Sequence, residues 1–231
     1  MYAMLTVVTV WWLLLHPRSN VNRKWRWMAV LGMPLAWGSA VAWELPYRVS
    51  PRISLIEDPV VGVIGDSLSA GIGEDGTPTW PQILAQTRRI DVRNHARAGA
   101  TTATAQKQAA ALSPDVNLLI LEIGGNDLLG ETTTAEFSRD LERLLQDVNR
   151  PGRTILMFEL PLLPFRHGVG RAQRRLCQKY HVQLIPKHVL SGVLLSDETT
   201  LDSIHLSPAG HEILAWRVWH IIAPAFHYRH G

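Results

Sequence analysis

Three residue types with acid, base or nucleophile chemistry stand at informative places in this chain. The run Val60-Val61-Gly62-Val63-Ile64-Gly65-Asp66-Ser67-Leu68-Ser69 is apolar and β-branched until a glycine stops it, and it then presents Ser67. Such a run reads as a buried parallel strand whose carboxyl end opens into a turn, the place where open α/β sheets carry their sites. A serine hydroxyl becomes a useful nucleophile only when a base takes its proton. Far downstream, Asp202-Ser203-Ile204-His205-Leu206-Ser207-Pro208 supplies one: a carboxylate three residues before His205 can fix the imidazole tautomer and leave the other ring nitrogen to act as base. No other histidine in the chain has an aspartate at that spacing.

Two further segments lie between serine and histidine. Leu118-Leu119-Ile120-Leu121-Glu122-Ile123 is a second buried-strand candidate ending in Gly124-Gly125-Asn126-Asp127, where the Asn126 amide can point an N–H at a developing oxyanion. Asp91-Val92-Arg93-Asn94-His95-Ala96 runs into Arg97-Ala98-Gly99, and Gly99 can offer a backbone N–H that no side chain obstructs. Asp66 and Asp127 read as structural. Glu122, a carboxylate in an apolar strand, needs a partner or a raised pKa, and the sequence names no partner.

The ordered set Gly65-Asp66-Ser67-Leu68-Ser69, Gly99, Gly124-Gly125-Asn126-Asp127 and Asp202-Ser203-Ile204-His205 resembles the SGNH hydrolase (GDSL esterase/lipase) superfamily, in particular its bacterial acyl-thioesterase and lysophospholipase group. The resemblance runs from about Val60 to about Pro224. It implies a three-layer α/β/α fold around a parallel five-stranded sheet, with Ser67 as nucleophile, His205 as general base and then acid, and Asp202 orienting His205. The oxyanion would be held by the backbone N–H groups of Ser67 and Gly99 and by the Asn126 side chain. The implied activity is hydrolysis of carboxylic esters through an acyl-enzyme, with lysophospholipids and acyl thioesters as alternative substrates. A non-catalytic domain binding envelope glycans or lipids is the alternative of another class.

The elements that must position these residues alternate along the chain. Strands are expected at 60–64, 91–96, 118–123, 154–160 and 182–185, and helices at 79–86, 101–112, 135–149, 171–180 and 208–222. That alternation points to a parallel sheet covered on both faces. Ser207 and Pro208 read as cap and first residue of the last helix.

Gly71-Ile72-Gly73-Glu74-Asp75-Gly76 has the glycine spacing of a dinucleotide loop, but it does not follow the strand directly and its two acids would repel a pyrophosphate. Nor is there a nucleophile elbow of the α/β-hydrolase type, since Ser69 rather than glycine stands two residues after Ser67. Serine chemistry needs no cofactor, and none is expected. Zinc spacing is absent from the cysteine and histidine pattern, His167, His181 and His188 standing apart, so no metal is expected either. The single cysteine, Cys177, sits in a helical pattern as a core thiol.

Residues 1–47 differ from 48–231, and two domains are expected with that boundary: a hydrophobic membrane segment with a basic loop, then the hydrolase domain. Two apolar runs, 1–15 and 27–43, flank Arg18, Arg23, Lys24 and Arg26, and six of the nine tryptophans fall here. Tryptophan favours the membrane interface, and the basic loop stays cytoplasmic by the positive-inside rule, which places the domain after Trp43 outside. A signal peptide cleaved near Ala42 would also export it. The first 47 residues hold four basic groups and one acid, so they carry the whole net charge of +3 and leave the remainder neutral. A neutral domain has no electrostatic footprint for nucleic acid. The expected partners are a small-molecule or lipid ester and, through the N-terminus, a membrane. Leu160-Pro161-Leu162-Leu163-Pro164-Phe165 is a candidate lining of an acyl pocket, and the arginines at 166, 171, 174 and 175 read as a solvated helix face.

Overall fold

The computed structural model describes residues 35–39, 41–42, 44–71, 76–161, 166–195, 199–200 and 205–226. The chain divides into two compact units, Met1–Val49 and Ser50–Gly231. In the first, residues 35–39 are helical and Leu45–Tyr47 form a 3-10 turn. Most of both apolar runs and all four basic residues lie outside the described residues. Among the described residues, no helix is long and apolar enough to cross a membrane.

The second unit is built on five parallel strands: β1 (Val61–Gly65), β2 (Val92–Asn94), β3 (Leu118–Glu122), β4 (Thr154–Phe158) and β5 (Gln183–Ile185), in the order β2-β1-β3-β4-β5. The chain steps outward from β1 to β2 and then returns to the other side of β1 for β3. Their carboxyl ends therefore frame the point where strand order reverses, the crevice that open sheets use for ligands.

Period-two alternation sends successive strand residues to opposite faces. Val61, Val63, Leu118, Ile120, Leu156 and Phe158 pack on one face against α2 (Trp80–Arg88), α7 (Lys187–Leu194) and α8 (Pro208–Ile222). Ile64, Leu119, Leu121, Ile155 and Met157 pack on the other against α3 (Ala105–Ala110), α5 (Thr134–Val148) and α6 (His167–Lys179). This is the three-layer arrangement that the alternation implies. Helix α5 shows why the local pattern is legible. Thr133 and Glu136 close a capping box at its start, and Phe137, Leu141, Leu144, Leu145 and Val148 recur on one buried side.

Several elements differ from the sequence expectation, each for a local reason. Strand β2 stops at Asn94, not 96, because Asn94 Oδ1 accepts the Ala96 N–H at 3.0 Å and bends the chain. Helix α3 begins at Ala105 rather than 101, since Thr101 and Thr104 satisfy one another's groups (Thr101 N–H to Thr104 Oγ1, 2.9 Å) instead of the helical ladder. Helix α6 starts four residues earlier than expected and runs through Gly168, whose missing side chain admits the neighbouring helix: a Cβ there would meet Thr134 Oγ1 at 2.8 Å. Helix α7 was given no element by the pattern. It follows Pro186 directly and carries Gly192 in its interior, yet buries Val189, Leu190 and Val193. Two short helical turns, α1 (Ser67–Ala70) and α4 (Gly125–Leu129), follow β1 and β3.

Candidate active site

Strand β1 ends on Gly65 because nothing larger fits: a Cβ would lie 2.8 Å from Ser69 Oγ and 3.1 Å from the Glu122 carbonyl oxygen. Its backbone is held by the Gln108 side chain, which accepts from Gly65 N and donates to Gly65 O at 3.0 Å each. Beyond it Asp66 N donates to Glu122 O at 3.1 Å, and Asp66 Oδ1 accepts the Leu68 N–H at 3.1 Å, capping the turn α1. Ser67 is thereby the first residue of a helical turn at the carboxyl edge of the sheet, half-buried.

The end of β3 meets it. Gly124 takes φ +109, a left-handed conformation that glycine adopts without strain, and a Cβ there would press on Leu160 at 2.9 Å. The chain then enters α4 with Asn126 in its first turn. Asn126 Nδ2 donates to Ala100 O at 2.9 Å and to Asp66 Oδ2 at 3.3 Å. Asp127 points elsewhere and ties down the segment after β2, accepting Thr102 N and Thr102 Oγ1 at 2.9 Å each. Gly99, exposed and with φ +74, lies one residue before the carbonyl that Asn126 holds.

Ser67, Asn126, Asp66 and Glu122 border one cavity of about 190 Å³. Its remaining wall is apolar: Leu128, Leu129, Leu160, Pro161, Leu190 and Leu194, among others. Of the loop expected to line an acyl pocket, Leu160 and Pro161 do border this cavity, and residues 162–165 lie outside the described residues.

His205 is half-buried just ahead of α8, where Thr200 pairs antiparallel with Leu206. It stands close enough to Asp66 for its charge to favour the Asp66 carboxylate. Asp202 lies outside the described residues. Ser207 caps α8 by accepting the Gly210 N–H at 3.2 Å, and Pro208 opens the helix.

Asp66 and Glu122 are the residues that the sequence undervalued. Burial pushes Asp66 up to about 6, against the Leu68 N–H, a hydrogen bond from Glu122 and His205, all of which favour its charged form. Glu122 is raised well above its usual range by burial and then by the adjacent Asp66 charge. The pair is consistent with one arrangement, a neutral Glu122 beside an ionised Asp66. The signal was present in the sequence, a carboxylate ending an apolar strand, but its partner came from pairing Gly65 with Glu122 across β1 and β3, which no spacing along the chain reveals.

Other chemistry-bearing residues resolve as structural. Burial pushes the Cys177 thiol up to about 12, so it is no nucleophile. The arginines in and just before α6 are not simply a solvated face: Arg174 pairs with buried Glu159 at 2.5 Å, Arg175 donates to Ser138 Oγ at 3.0 Å, and Arg166, at the helix cap, holds the carbonyls of Gly130 and Thr132.

The fold and this edge define a serine ester hydrolase of the three-layer α/β type. The chain belongs to the GDSL-like lipase/acylhydrolase family, whose model matches residues 63–213. It is 27% identical over 176 residues to the esterase TesA of Pseudomonas aeruginosa, a match covering 70% of this chain and 87% of that protein. A crystal structure of TesA superposes with a TM-score of 0.63 at 26% identity, over 72% of this chain and 99% of the other. AlinE4, an esterase of the SGNH-hydrolase family, superposes at 0.56 with 26% identity over 75% of this chain and all of its own.

Proposed function

We propose that this protein hydrolyses carboxylic esters of apolar acyl chains by a Ser-His-Asp mechanism. The observation that carries the reading is a cavity that Ser67 and Asn126 border together with an apolar wall. Ser67 Oγ attacks the ester carbonyl while His205 takes its proton, and the negative charge that develops on the carbonyl oxygen is met by Ser67 N–H, Gly99 N–H and the Asn126 amide. Collapse expels the alcohol, which receives the proton from His205, and leaves the acyl group on Ser67. Water, deprotonated by His205, then releases the acid. Asp202 orients His205 throughout. Asn126 Nδ2 donates to Ala100 O and, at the long distance of 3.3 Å, to Asp66, so its second hydrogen is held weakly enough to be shared with the oxyanion.

The leucines at 128, 129, 160, 190 and 194 would receive the acyl chain, since burial of apolar surface is the favourable term such a wall offers. The N-terminal unit is proposed as a membrane anchor that keeps the catalytic domain outside the cytoplasm and close to lipid esters. Its apolar runs and tryptophans support this, as do the exposed side chains of Leu35, Val41 and Leu45.

The test is hydrolysis of a p-nitrophenyl ester series of increasing chain length by full-length protein in detergent. Ser67→Ala is expected to lower kcat by at least about 10³-fold with its fold intact. Leu194→Trp is expected to move the preferred chain length downward without abolishing turnover of the shortest ester. Wild-type turnover by Ser67→Ala overturns the mechanism, and an unchanged chain-length profile in Leu194→Trp overturns the assignment of the pocket.

A further inference from the structure

Behind Ser67 lies a buried chain of hydrogen bonds that the mechanism above does not use. His211 Nδ1 accepts the Trp80 N–H at 3.2 Å, and Trp80 Nε1 donates to Ser69 Oγ at 3.0 Å. Ser69 Oγ donates to Glu122 Oε2 at 2.9 Å, and the same oxygen takes the Asp66 N–H at 3.4 Å. Asp66 then accepts Leu68 N–H on one oxygen and Asn126 Nδ2 on the other.

We propose that Asp66 and Glu122 are positioning residues of this site: Glu122 holds Asp66, and Asp66 fixes both the turn that carries the Ser67 N–H and the plane of the Asn126 amide. The inference rests on the esterase reading, in which those two groups are oxyanion donors. Each link has a physical reason. Glu122 Oε2 takes two donors, Ser69 Oγ and the Asp66 N–H, so it ties the backbone of Asp66 to the turn that carries Ser67. Glu122 and Asp66 border the same cavity as Ser67 and Asn126, so the pair acts at the reacting edge of the sheet rather than within its body. Close approach is enforced as well, since a Cβ at Gly125 would stand 3.2 Å from Asp66 Oδ2.

An oxyanion site works because its donors are aimed before charge develops. One carboxylate that accepts from the N–H next to Ser67 and from Asn126 sets two such donors at once. An asparagine in its place presents an N–H₂ to one of them and must turn one away. A buried aspartate that lost these donors would gain a proton and lose an acceptor. Glu122 fixes the Asp66 backbone and, through Ser69, the turn behind it.

The experiment compares kcat and KM for a short p-nitrophenyl ester in wild type, Asp66→Asn, Glu122→Leu, Glu122→Gln and Ser67→Ala, all as full-length protein. Rates are referred to sites counted by stoichiometric phosphonate labelling. Asp66→Asn and Glu122→Leu are expected to lose about 10- to 100-fold in kcat, less than outright deletion of an oxyanion donor costs, with KM within about twofold. Glu122→Gln, whose amide can donate to Asp66 and accept from Ser69, is expected to recover kcat to within about fivefold of wild type. If Glu122→Leu does not fold, the isosteric Asp66→Asn decides. Wild-type kcat in Asp66→Asn, or a Glu122→Gln variant as impaired per site as Glu122→Leu, overturns the proposal. Turnover by Ser67→Ala would instead overturn the esterase mechanism on which it stands.

Discussion

The ends of β3 and β4 each carry a buried glutamate, Glu122 and Glu159, and their surroundings differ in kind. Glu159 is met by a guanidinium: Arg174 lies 2.5 Å away, the two side chains being only 15% and 3% exposed, and Lys187 N–H adds a contact at 3.4 Å. Glu122 is met by a hydroxyl, a backbone N–H and a second carboxyl group. A buried charge facing a cation is held for the fold's sake, whereas burial with a second acid alongside raises the Glu122 pKa and costs stability. Such costly groups gather where chemistry is done. The contrast separates a strand end that locks α6 onto the sheet from one that faces a cavity and a serine.

Breaking the β4 side is expected to have the largest effect. Arg174→Leu leaves Glu159 buried beside no guanidinium and is expected to lose about 3–5 kcal/mol in urea unfolding, with kcat per labelled site unchanged. A loss under about 1 kcal/mol would mean that the pair at β4 is no more structural than a surface ion pair.

On the β3 side the expectation concerns pH. In the native protein Glu122 keeps a proton that the unfolded chain releases above its ordinary 4.5. Raising the pH from there toward the elevated native value therefore favours the unfolded state, and stability falls through that window. Asp66, raised to about 6, adds a contribution of the same sign between its ordinary 3.8 and 6. Denaturant unfolding from pH 5 to 7.5 is expected to decline less in Glu122→Gln than in wild type, by up to about 1.4 kcal/mol per pH unit. Parallel curves would remove the buried acid pair.

His211 sharpens the comparison with the opposite sign. Burial lowers its pKa from 6.5, so the unfolded chain takes up a proton as pH falls below that value while the native ring, accepting from Trp80 N–H, does not. Stability is then lost as pH drops from 6.5 toward the depressed native value, and His211→Asn is expected to flatten that arm. At the start of α8, Ser207→Ala is expected to cost about 1 kcal/mol through loss of the cap.

What the sequence made legible follows the same division. Strand cores such as 61–64 and 118–121, and helices with a cap and an apolar stripe such as α5, announce themselves because their causes are local. The serine, the asparagine and the cavity-lining Leu160 could be placed at strand ends for the same reason. Glu122 could be seen to need a partner but not which, because Asp66 and Ser69 reach it only across parallel strands far apart in the chain. Helix α6 begins before the expected residue 171, at His167, and Gly168 within it marks a close approach to Thr134 on α5.

The most direct test of the central claim is to treat the full-length protein with a fluorophosphonate, digest it, and map the adduct by mass spectrometry. The account predicts one phosphonyl group per chain, on Ser67, in step with loss of esterase activity, and no labelling of the Ser67→Ala variant. An adduct on another residue, or full ester turnover after Ser67 is modified, would contradict it.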